Sequence, residues 1–352
     1  MELQKEFRIN QSLIGPGNPT YIIAELSANH HQQLDRAIEL VHHAHRIGAN
    51  AVKLQTYTAD TLTLDSDRPW FRIQQGTVWD GLSLYDLYKD AYTPWEWHRE
   101  LQQVAHQLGL DFFSSPFDFS AVDFLEKLDV PAYKIASFEI VDIPLLQRVA
   151  QTGKPVICST GMATVEEIEL AVKTLRDGGC TEVALLKCTS SYPSPPEAMN
   201  LKTIPDLAFR FQVPVGLSDH TLGIQAPIVS VAMGASIIEK HLTISRNDPG
   251  PDSTFSLEPD EFEEMVQSVR LAEKTLGQVH YGTTQSDKNN LAFRRSLFAI
   301  RNIEEGEPFT SENVRSIRPG QGLEPKHLEQ VLDSHASEPI TRGTPLQWRH
   351  VA

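Results

Sequence analysis

The chain has 352 residues, of which 40% are hydrophobic and 22% charged, and this composition is typical of a globular protein. Its net charge of −15 at pH 7 argues against nucleic acid and anionic membrane surfaces as partners, so an anionic substrate must be attracted by a local group of cations. The sequence has no apolar run of transmembrane length, no apolar N-terminal segment like that of a signal peptide, and an odd number of cysteines without zinc-type spacing. These features predict a cytoplasmic protein with free thiols.

Short apolar runs alternate with helix-like segments from residue 20 to about residue 280. The segments between the runs carry apolar residues at i, i+3 and i+4, and several end in glycine, which is typical of helices. Eight such units predict a (β/α)8 TIM barrel over residues 1–280, and an open doubly wound sheet is the alternative, although it would not require eight repeats. The predicted strands are residues 21–26, 51–56, 110–115, 132–137, 155–160, 183–190, 214–219 and 236–243.

The interval 57–95 interrupts this alternation and is rich in aromatic and turn residues. It predicts a long loop over the barrel mouth that covers the substrate, followed by a helix from about Trp95; a plain surface excursion is the alternative. Residues 281–290 are polar and predict a linker. Residues 291–352 contain short β-like runs and turn signals, which predict a small C-terminal domain.

Every predicted strand becomes polar at its C-terminal end, where a barrel of this kind has its active site. Alternation places Ser218 and His220 on one face of the seventh strand, and Glu239 and His241 on one face of the eighth. Two histidines with a carboxylate and water suit Mn²⁺, Fe²⁺, Co²⁺ or Zn²⁺. The alternative is a pair of buried imidazoles that only make hydrogen bonds.

Lysines and hydroxyls at the same strand ends predict a pocket for a phosphate and a carboxylate. The alternative is an ion-pair network with Glu25, Glu139 and Glu239, which is compatible with such a pocket. A different chemistry, Schiff-base formation as in aldolases, would use Lys134 or Lys187 as the nucleophile. The side chains that form the predicted pocket are Lys53, Lys134, Ser137, Ser159 and Ser218.

Eight motifs in chain order resemble the sialic acid synthase family: IIAELSANH, AVKLQTYTADT, FSSPFD, YKIASFEI, STGMAT, KCTSSYPSP, GLSDHTLG and IIEKHLT. The segments RRSLFA and RSIRPGQGL look like the antifreeze-like (SAF) C-terminal domain of that family. Within the family, the likeness is closest to the pseudaminic acid synthases, on the basis of the 57–95 interval and of Ser190. N-acetylneuraminate synthases typically carry Asn in the place of Ser190.

The resemblance implies condensation of phosphoenolpyruvate with an N-acetylated amino sugar, which yields a nonulosonic acid and phosphate. The implied sugar is 2,4-diacetamido-2,4,6-trideoxy-L-altrose, with N-acetylmannosamine or the legionaminate precursor as alternatives. A carbohydrate- or ice-binding protein with an inactive barrel is the alternative from another class of protein.

The resemblance also implies a role for each site residue and a head-to-tail, domain-swapped homodimer. The implied ligands of a divalent metal, Mn²⁺ with Mg²⁺ or Co²⁺ as alternatives, are His220 and His241. The residues implied to hold phosphoenolpyruvate are Lys53, Lys134, Ser137, Ser159 and Ser218. The carboxylates implied to surround the reacting carbons and water are Glu25, Glu139 and Glu239. The residues implied to face the sugar are Tyr192, Asp252 and, from the partner subunit, Arg318.

Overall fold

The computed structural model describes residues 6–248 and 250–352, which form two compact units: one extends through Gly277 and the other spans Gln278–Ala352. The first unit contains a closed barrel of eight parallel strands, in the order β10-β3-β4-β5-β6-β7-β8-β9. Closure of the sheet confirms the predicted (β/α)8 class and rules out the open doubly wound sheet. Within the described ranges, no helix is long and apolar enough to cross a membrane.

Each predicted apolar run overlaps one strand of the barrel, and the strand ends differ from the prediction by a few residues at most. The barrel strands are buried along their length, as expected for a parallel sheet covered by helices. Their bounds are β3 Tyr21–Glu25, β4 Ala51–Thr56, β5 Asp111–Pro116, β6 Tyr133–Ile135, β7 Val156–Ser159, β8 Val183–Cys188, β9 Val215–Asp219 and β10 Ile237–His241.

The helices that follow the strands bury one apolar face, and several of them begin at a side-chain cap. Helix α7, for example, starts with a capping box in which Thr164 and Glu167 satisfy each other's backbone amides. The helices of this unit are α1 Leu34–Arg46, α2 Ala59–Leu62, α3 Leu84–Ala91, α4 His98–Gln107, α5 Phe119–Lys127, α6 Ile143–Ala150, α7 Val165–Asp177, α8 Thr203–Phe211, α9 Gln225–Ala232 and α10 Pro259–Leu276.

The interval 57–95 is not an unbroken loop, so that part of the sequence prediction is wrong. It contains α2 and α3, and an antiparallel bridge between Arg72 and Ser83 joins the residues between them. A 3-10 turn, Trp95–Trp97, then leads into α4 at His98. These helices were not predicted because each is too short to show the repeated apolar spacing by which a helix is recognised in a sequence.

A hairpin of β1 (Phe7–Ile9) and β2 (Ser12–Ile14) precedes the barrel and was not predicted. Phe7, Ile9 and Ile14 join the apolar core of the barrel unit. At the start of β5, Asp111 accepts hydrogen bonds from Asn10 Nδ2 and from Tyr21 Oη, each at 2.6 Å. The hairpin therefore covers the N-terminal end of the barrel.

The second unit has its own small apolar core, which includes Leu297, Phe309 and Val331. Its regular elements are the antiparallel strands β11 (Ser296–Ala299) and β12 (Val314–Ile317) and the helix α11 (Leu328–Leu332). Arg318 directly follows β12 and its side chain is exposed.

Candidate active site

A cavity of about 430 Å³ opens at the C-terminal ends of the barrel strands. All but two of the predicted site residues line it. Glu25, at the end of β3, is completely buried and does not line the cavity, and Arg318 belongs to the second unit. The predicted residues that line the cavity are Lys53, Lys134, Ser137, Glu139, Ser159, Tyr192, Ser218, His220, Glu239, His241 and Asp252.

Two lysines and two carboxylates make up the floor of the cavity. Lys53 Nζ lies 2.6 Å from Glu25 Oε2 and 3.7 Å from Glu239 Oε1, and Lys134 Nζ lies 3.8 Å from the same Glu239 oxygen. All four side chains are almost fully buried, so each charge depends on its partners for compensation. The predicted ion-pair network is therefore present for Glu25 and Glu239, with two ammonium groups sharing Glu239, whereas Glu139 forms no ion pair among the described residues.

The environments of these groups separate their pKa values. Burial raises the pKa of Glu25, whereas for Glu239 the cations Lys134 and Lys53 outweigh burial and lower its pKa. Burial lowers the pKa of Lys134, and for Lys53 the two carboxylates outweigh burial and raise it. Glu239 is thus the carboxylate of the floor that is held ionised.

The hydroxyls of the site are positioned by the loops that follow the strands. Ser159 Oγ lies 2.7 Å from Lys134 Nζ. Gly161 has a φ of +40°, and a Cβ there would lie 2.4 Å from Ser137 Cβ and 2.9 Å from Ser190 Oγ. Only glycine therefore allows the loop after β7 to pass this close to Ser137.

Glu139 lies on the 3-10 turn that follows β6 and faces the same cavity. Burial raises its pKa from 4.5 to about 7. Among the described residues, its Oε2 has no hydrogen-bond partner. A carboxyl group in this environment can take up and release a proton near neutral pH.

The rings of His220 and His241 lie at the ends of adjacent strands, with their centroids 5.3 Å apart. His220 Nδ1 lies 3.1 Å from the carbonyl oxygen of Thr189; donation to that oxygen leaves Nε2 with a free lone pair. His241 Nδ1 is buried with no partner among the described residues. Burial and the nearby His220 and Lys53 hold the pKa of His241 well below its ordinary value, so its imidazole is neutral.

For His220, burial lowers the pKa, but the nearby Cys188 outweighs burial and raises the pKa. The two converging imidazoles fit a divalent cation, which would bind them in their neutral form. Within the part of the chain that the structure describes, no group of three or more His, Cys, Asp or Glu side chains could hold an ion. A metal on His220 and His241 would therefore keep several positions open for water and substrate, as catalytic sites do. The unpartnered His241 Nδ1 supports this fit, because a buried polar atom without a partner is costly.

Two residues near the histidines, Lys187 and Cys188, have side-chain directions that were not predicted from the sequence. Lys187 points away from the cavity and donates to Cys188 O and Thr189 Oγ1, so its prediction as a nucleophile at the mouth is wrong. Cys188 faces the cavity instead, with Sγ 3.8 Å from His220 Nδ1. Burial raises the pKa of this thiol, but His220 outweighs it and the pKa falls to about 7. No signal other than strand alternation could have indicated Cys188.

Lys240, between the two functional residues of β10, faces away from the cavity. Its Nζ lies 2.5 Å from Asp219 Oδ2 and 2.6 Å from Thr221 O, and the side chains of both Lys240 and Asp219 are fully buried. The charged stretch at the end of β10 therefore serves two purposes: Glu239 and His241 face the cavity, and Lys240 forms a buried ion pair.

The outer part of the cavity contains aromatic side chains. Tyr192 packs against His220, with 4.5 Å between ring centroids, and against Trp79, with 5.4 Å. Asp252 accepts a hydrogen bond from Ser27, and burial raises the pKa of Asp252. Trp79 was not singled out from the sequence, although its place in the aromatic 57–95 interval was a usable signal.

A barrel mouth that gathers ammonium groups, ionised and protonatable carboxyls and two converging imidazoles is the site of an enzyme that acts on an anion. Comparison with known proteins identifies which group of enzymes it resembles. The chain belongs to the NeuB family, whose model matches residues 40–281, and an SAF domain matches residues 294–352. The family predicted from the motifs is thereby confirmed.

Individual proteins of known or assigned activity are similar to this chain over most of its length. The chain is 45% identical to a pseudaminic acid synthase of Campylobacter jejuni over 327 residues, which are 93% of this chain and 95% of that protein. It is 38% identical to an N,N'-diacetyllegionaminic acid synthase of Legionella pneumophila over 345 residues, 96% of each protein. The crystal structure of an N-acetylneuraminic acid synthetase from Leptospira borgpetersenii in complex with citrate matches with a TM-score of 0.73 and 32% identity, covering 82% of this chain and 95% of that chain.

Proposed function

We propose that this chain is a transferase that condenses phosphoenolpyruvate with 2,4-diacetamido-2,4,6-trideoxy-L-altrose and water to give pseudaminic acid and phosphate. The observation that carries the proposal is the convergence of Lys53 and Lys134 on one oxygen of Glu239, in the same cavity as the two facing imidazoles. The similarity to pseudaminic acid synthases over 93% of the chain supports this sugar in preference to N-acetylmannosamine or the legionaminate precursor.

The floor of the cavity is suited to phosphoenolpyruvate. Its phosphate and carboxylate carry several negative charges, and the ammonium groups of Lys53 and Lys134 with the hydroxyls of Ser137, Ser159 and Ser218 can bind them. Glu25, on the adjacent strand, pairs with Lys53 and so holds that ammonium group in place.

In the reaction, C3 of phosphoenolpyruvate forms a bond to the aldehyde carbon of the open-chain sugar, and the aldehyde oxygen takes a proton. Positive charge develops at C2, and the ionised Glu239 stabilises it. Water adds to C2 with loss of a proton, and the C2–O bond breaks to release phosphate and leave a ketone. We assign proton transfer in these steps to Glu139 Oε2, because the raised pKa of this carboxyl suits it.

The metal that the family implies would be held by His220 and His241, and we propose Mn²⁺. When bound, a divalent ion supplies Lewis-acid polarisation of the sugar aldehyde. Tyr192 and Asp252 would contact the sugar from the loops above. We further propose that Arg318 completes this site from the partner subunit of a head-to-tail homodimer, and that the reaction runs in the cytoplasm.

The decisive test is phosphate release from phosphoenolpyruvate with each of the three sugars, with and without Mn²⁺. We expect release with the trideoxy altrose sugar, stimulation by Mn²⁺ and loss of activity in EDTA. Sugar binding without phosphate release from any pair would support the inactive-barrel alternative. Pyruvate trapped covalently by borohydride, with EDTA having no effect, would support the Schiff-base alternative at Lys134 and overturn the proposal.

A further inference from the structure

One wall of the active-site cavity is apolar and comes entirely from the interval 57–95. Leu62, Ile73, Leu84 and Leu87 all line the cavity, and Ile73 and Leu87 are otherwise buried. No charged side chain of residues 57–95, all of which the structure describes, lines the cavity, and the polar side chains of Gln75 and Thr77 line it beside the apolar ones. This wall contrasts with the floor, where lysines and carboxylates predominate.

Hydrogen bonds hold this wall in a defined conformation. Ile73 N donates to Leu82 O at 3.0 Å and Gly81 N donates to Ile73 O at 2.9 Å. These bonds hold Ile73 on one side of a small hairpin that includes the Arg72–Ser83 bridge. At the tip of that hairpin, the Asp80 carboxylate accepts the backbone amides of Gly76 and Thr77, each at 2.9 Å. Hydrogen bonds of this kind hold a preformed surface, so a ligand meets the wall already in place.

Trp79 joins this hairpin to the other side of the barrel mouth. Its indole Nε1 donates to the carbonyl oxygen of Pro251 at 2.9 Å, in the loop that follows β10. Its ring packs on Tyr192, in the loop that follows β8. The apolar wall is therefore tied to the loops that carry Tyr192 and Asp252, and all three face the space above the ionic floor.

An apolar wall at this position discriminates between sugars. A hydroxyl in contact with the side chains of Ile73 and Leu62 would lose hydrogen bonds to water and gain none from them, whereas a methyl group would gain from leaving water. A 2,4-diacetamido-2,4,6-trideoxy sugar carries a methyl group at C6 and one in each acetamido group. N-acetylmannosamine has hydroxyls at C4 and C6 instead.

We propose that Ile73 and Leu62 determine the specificity for the sugar, by contacting the methyl groups of a 6-deoxy diacetamido substrate. This inference rests on the proposed condensation and adds to it the residues that select the sugar. Phosphoenolpyruvate binds to the ionic floor, so its recognition does not depend on this wall.

The test compares Ile73→Thr and Leu62→Thr with the wild type and with Leu64→Thr, a control on the same segment whose residue is 65% exposed and outside the cavity. For each protein, kcat and KM are measured with the trideoxy sugar and with N-acetylmannosamine. Replacing one apolar side chain of such a pocket changes the ratio of kcat/KM between two substrates by roughly 10- to 100-fold. We expect both cavity variants to lose about tenfold in kcat/KM for the trideoxy sugar, mainly through KM, with no loss for N-acetylmannosamine and an unchanged KM for phosphoenolpyruvate.

An equal loss for both sugars, or no loss for either, would overturn the inference. Leu62 is only half-buried, so Leu62→Thr keeps the test decisive if Ile73→Thr fails to fold, as judged by its melting temperature. A wild-type preference for N-acetylmannosamine would refute the inference and leave the condensation intact. Failure of the wild type to release phosphate with any sugar would instead refute the proposed function.

Discussion

The raised pKa of Glu139 makes the stability of this protein depend on pH in a way that one substitution can isolate. In the unfolded chain the carboxyl titrates near 4.5, and in the folded protein burial raises its pKa to about 7. The folded state therefore binds more protons than the unfolded state between these values, and the free energy of unfolding falls as pH rises through that window.

The size of this effect follows from the two pKa values. One pKa unit corresponds to about 1.36 kcal/mol, so a pKa raised from 4.5 to about 7 gives up to about 3 kcal/mol. The contribution is fully present below pH 4.5, decreases as pH rises and is lost above pH 7. Glu139→Gln keeps the shape of the side chain and removes the titration.

The assay measures the free energy of unfolding of the wild type and of Glu139→Gln in urea at a series of pH values from about 4.5 to 8, without metal or substrates. Because other groups titrate alike in both proteins, the difference between them reports Glu139 alone. As pH rises over this range, we expect the free energy of unfolding of the variant to increase relative to that of the wild type by up to about 3 kcal/mol. A difference that does not change with pH would refute the idea that the Glu139 carboxyl is protonated in the folded protein.

Two further predictions concern β10. His241→Ala is expected to abolish Mn²⁺-stimulated phosphate release while leaving the melting temperature nearly unchanged, with the exposed His42→Ala as a control; full activity in the His241 variant would contradict the metal assignment. Lys240→Met leaves the carboxylate of Asp219 buried and unpaired, so we expect a loss of about 3–5 kcal/mol in the free energy of unfolding. Adding Asp219→Leu should recover part of that loss, because it removes the unpaired charge but also the acceptor of Thr221 N and Oγ1; additive effects of the two substitutions would argue against coupling between them.

The fold was accessible from the sequence because the signals that define it are local. Apolar runs separated by amphipathic segments indicated all eight strands, and strand alternation correctly placed Glu239 and His241 on one face and Lys240 on the other. The N-terminal hairpin was missed because its strands have three residues each, too short for a periodic pattern.

The details of the site depend on contacts between distant parts of the chain, which no local pattern encodes. Lys187 and Cys188 are adjacent in β8 and face opposite sides of the sheet, and Cys188 is in register with Ser218, which also lines the cavity. Which of the two sides is the inner one is set by the pairing of β8 in the closed barrel. Tertiary packing likewise brings Glu25 into its ion pair with Lys53. It also places the apolar wall around Ile73 at the cavity.

The hairpin lies at the N-terminal end of the barrel, opposite the strand ends where the cavity opens. Between these two ends the strands pack closely, and a Cβ at Gly216 of β9 would lie 2.3 Å from Ile237 O of β10. In the proposed reaction phosphoenolpyruvate lies on the ionic floor and the sugar above it. We therefore expect phosphoenolpyruvate to bind first, and an ordered pattern in product-inhibition kinetics would bear this out.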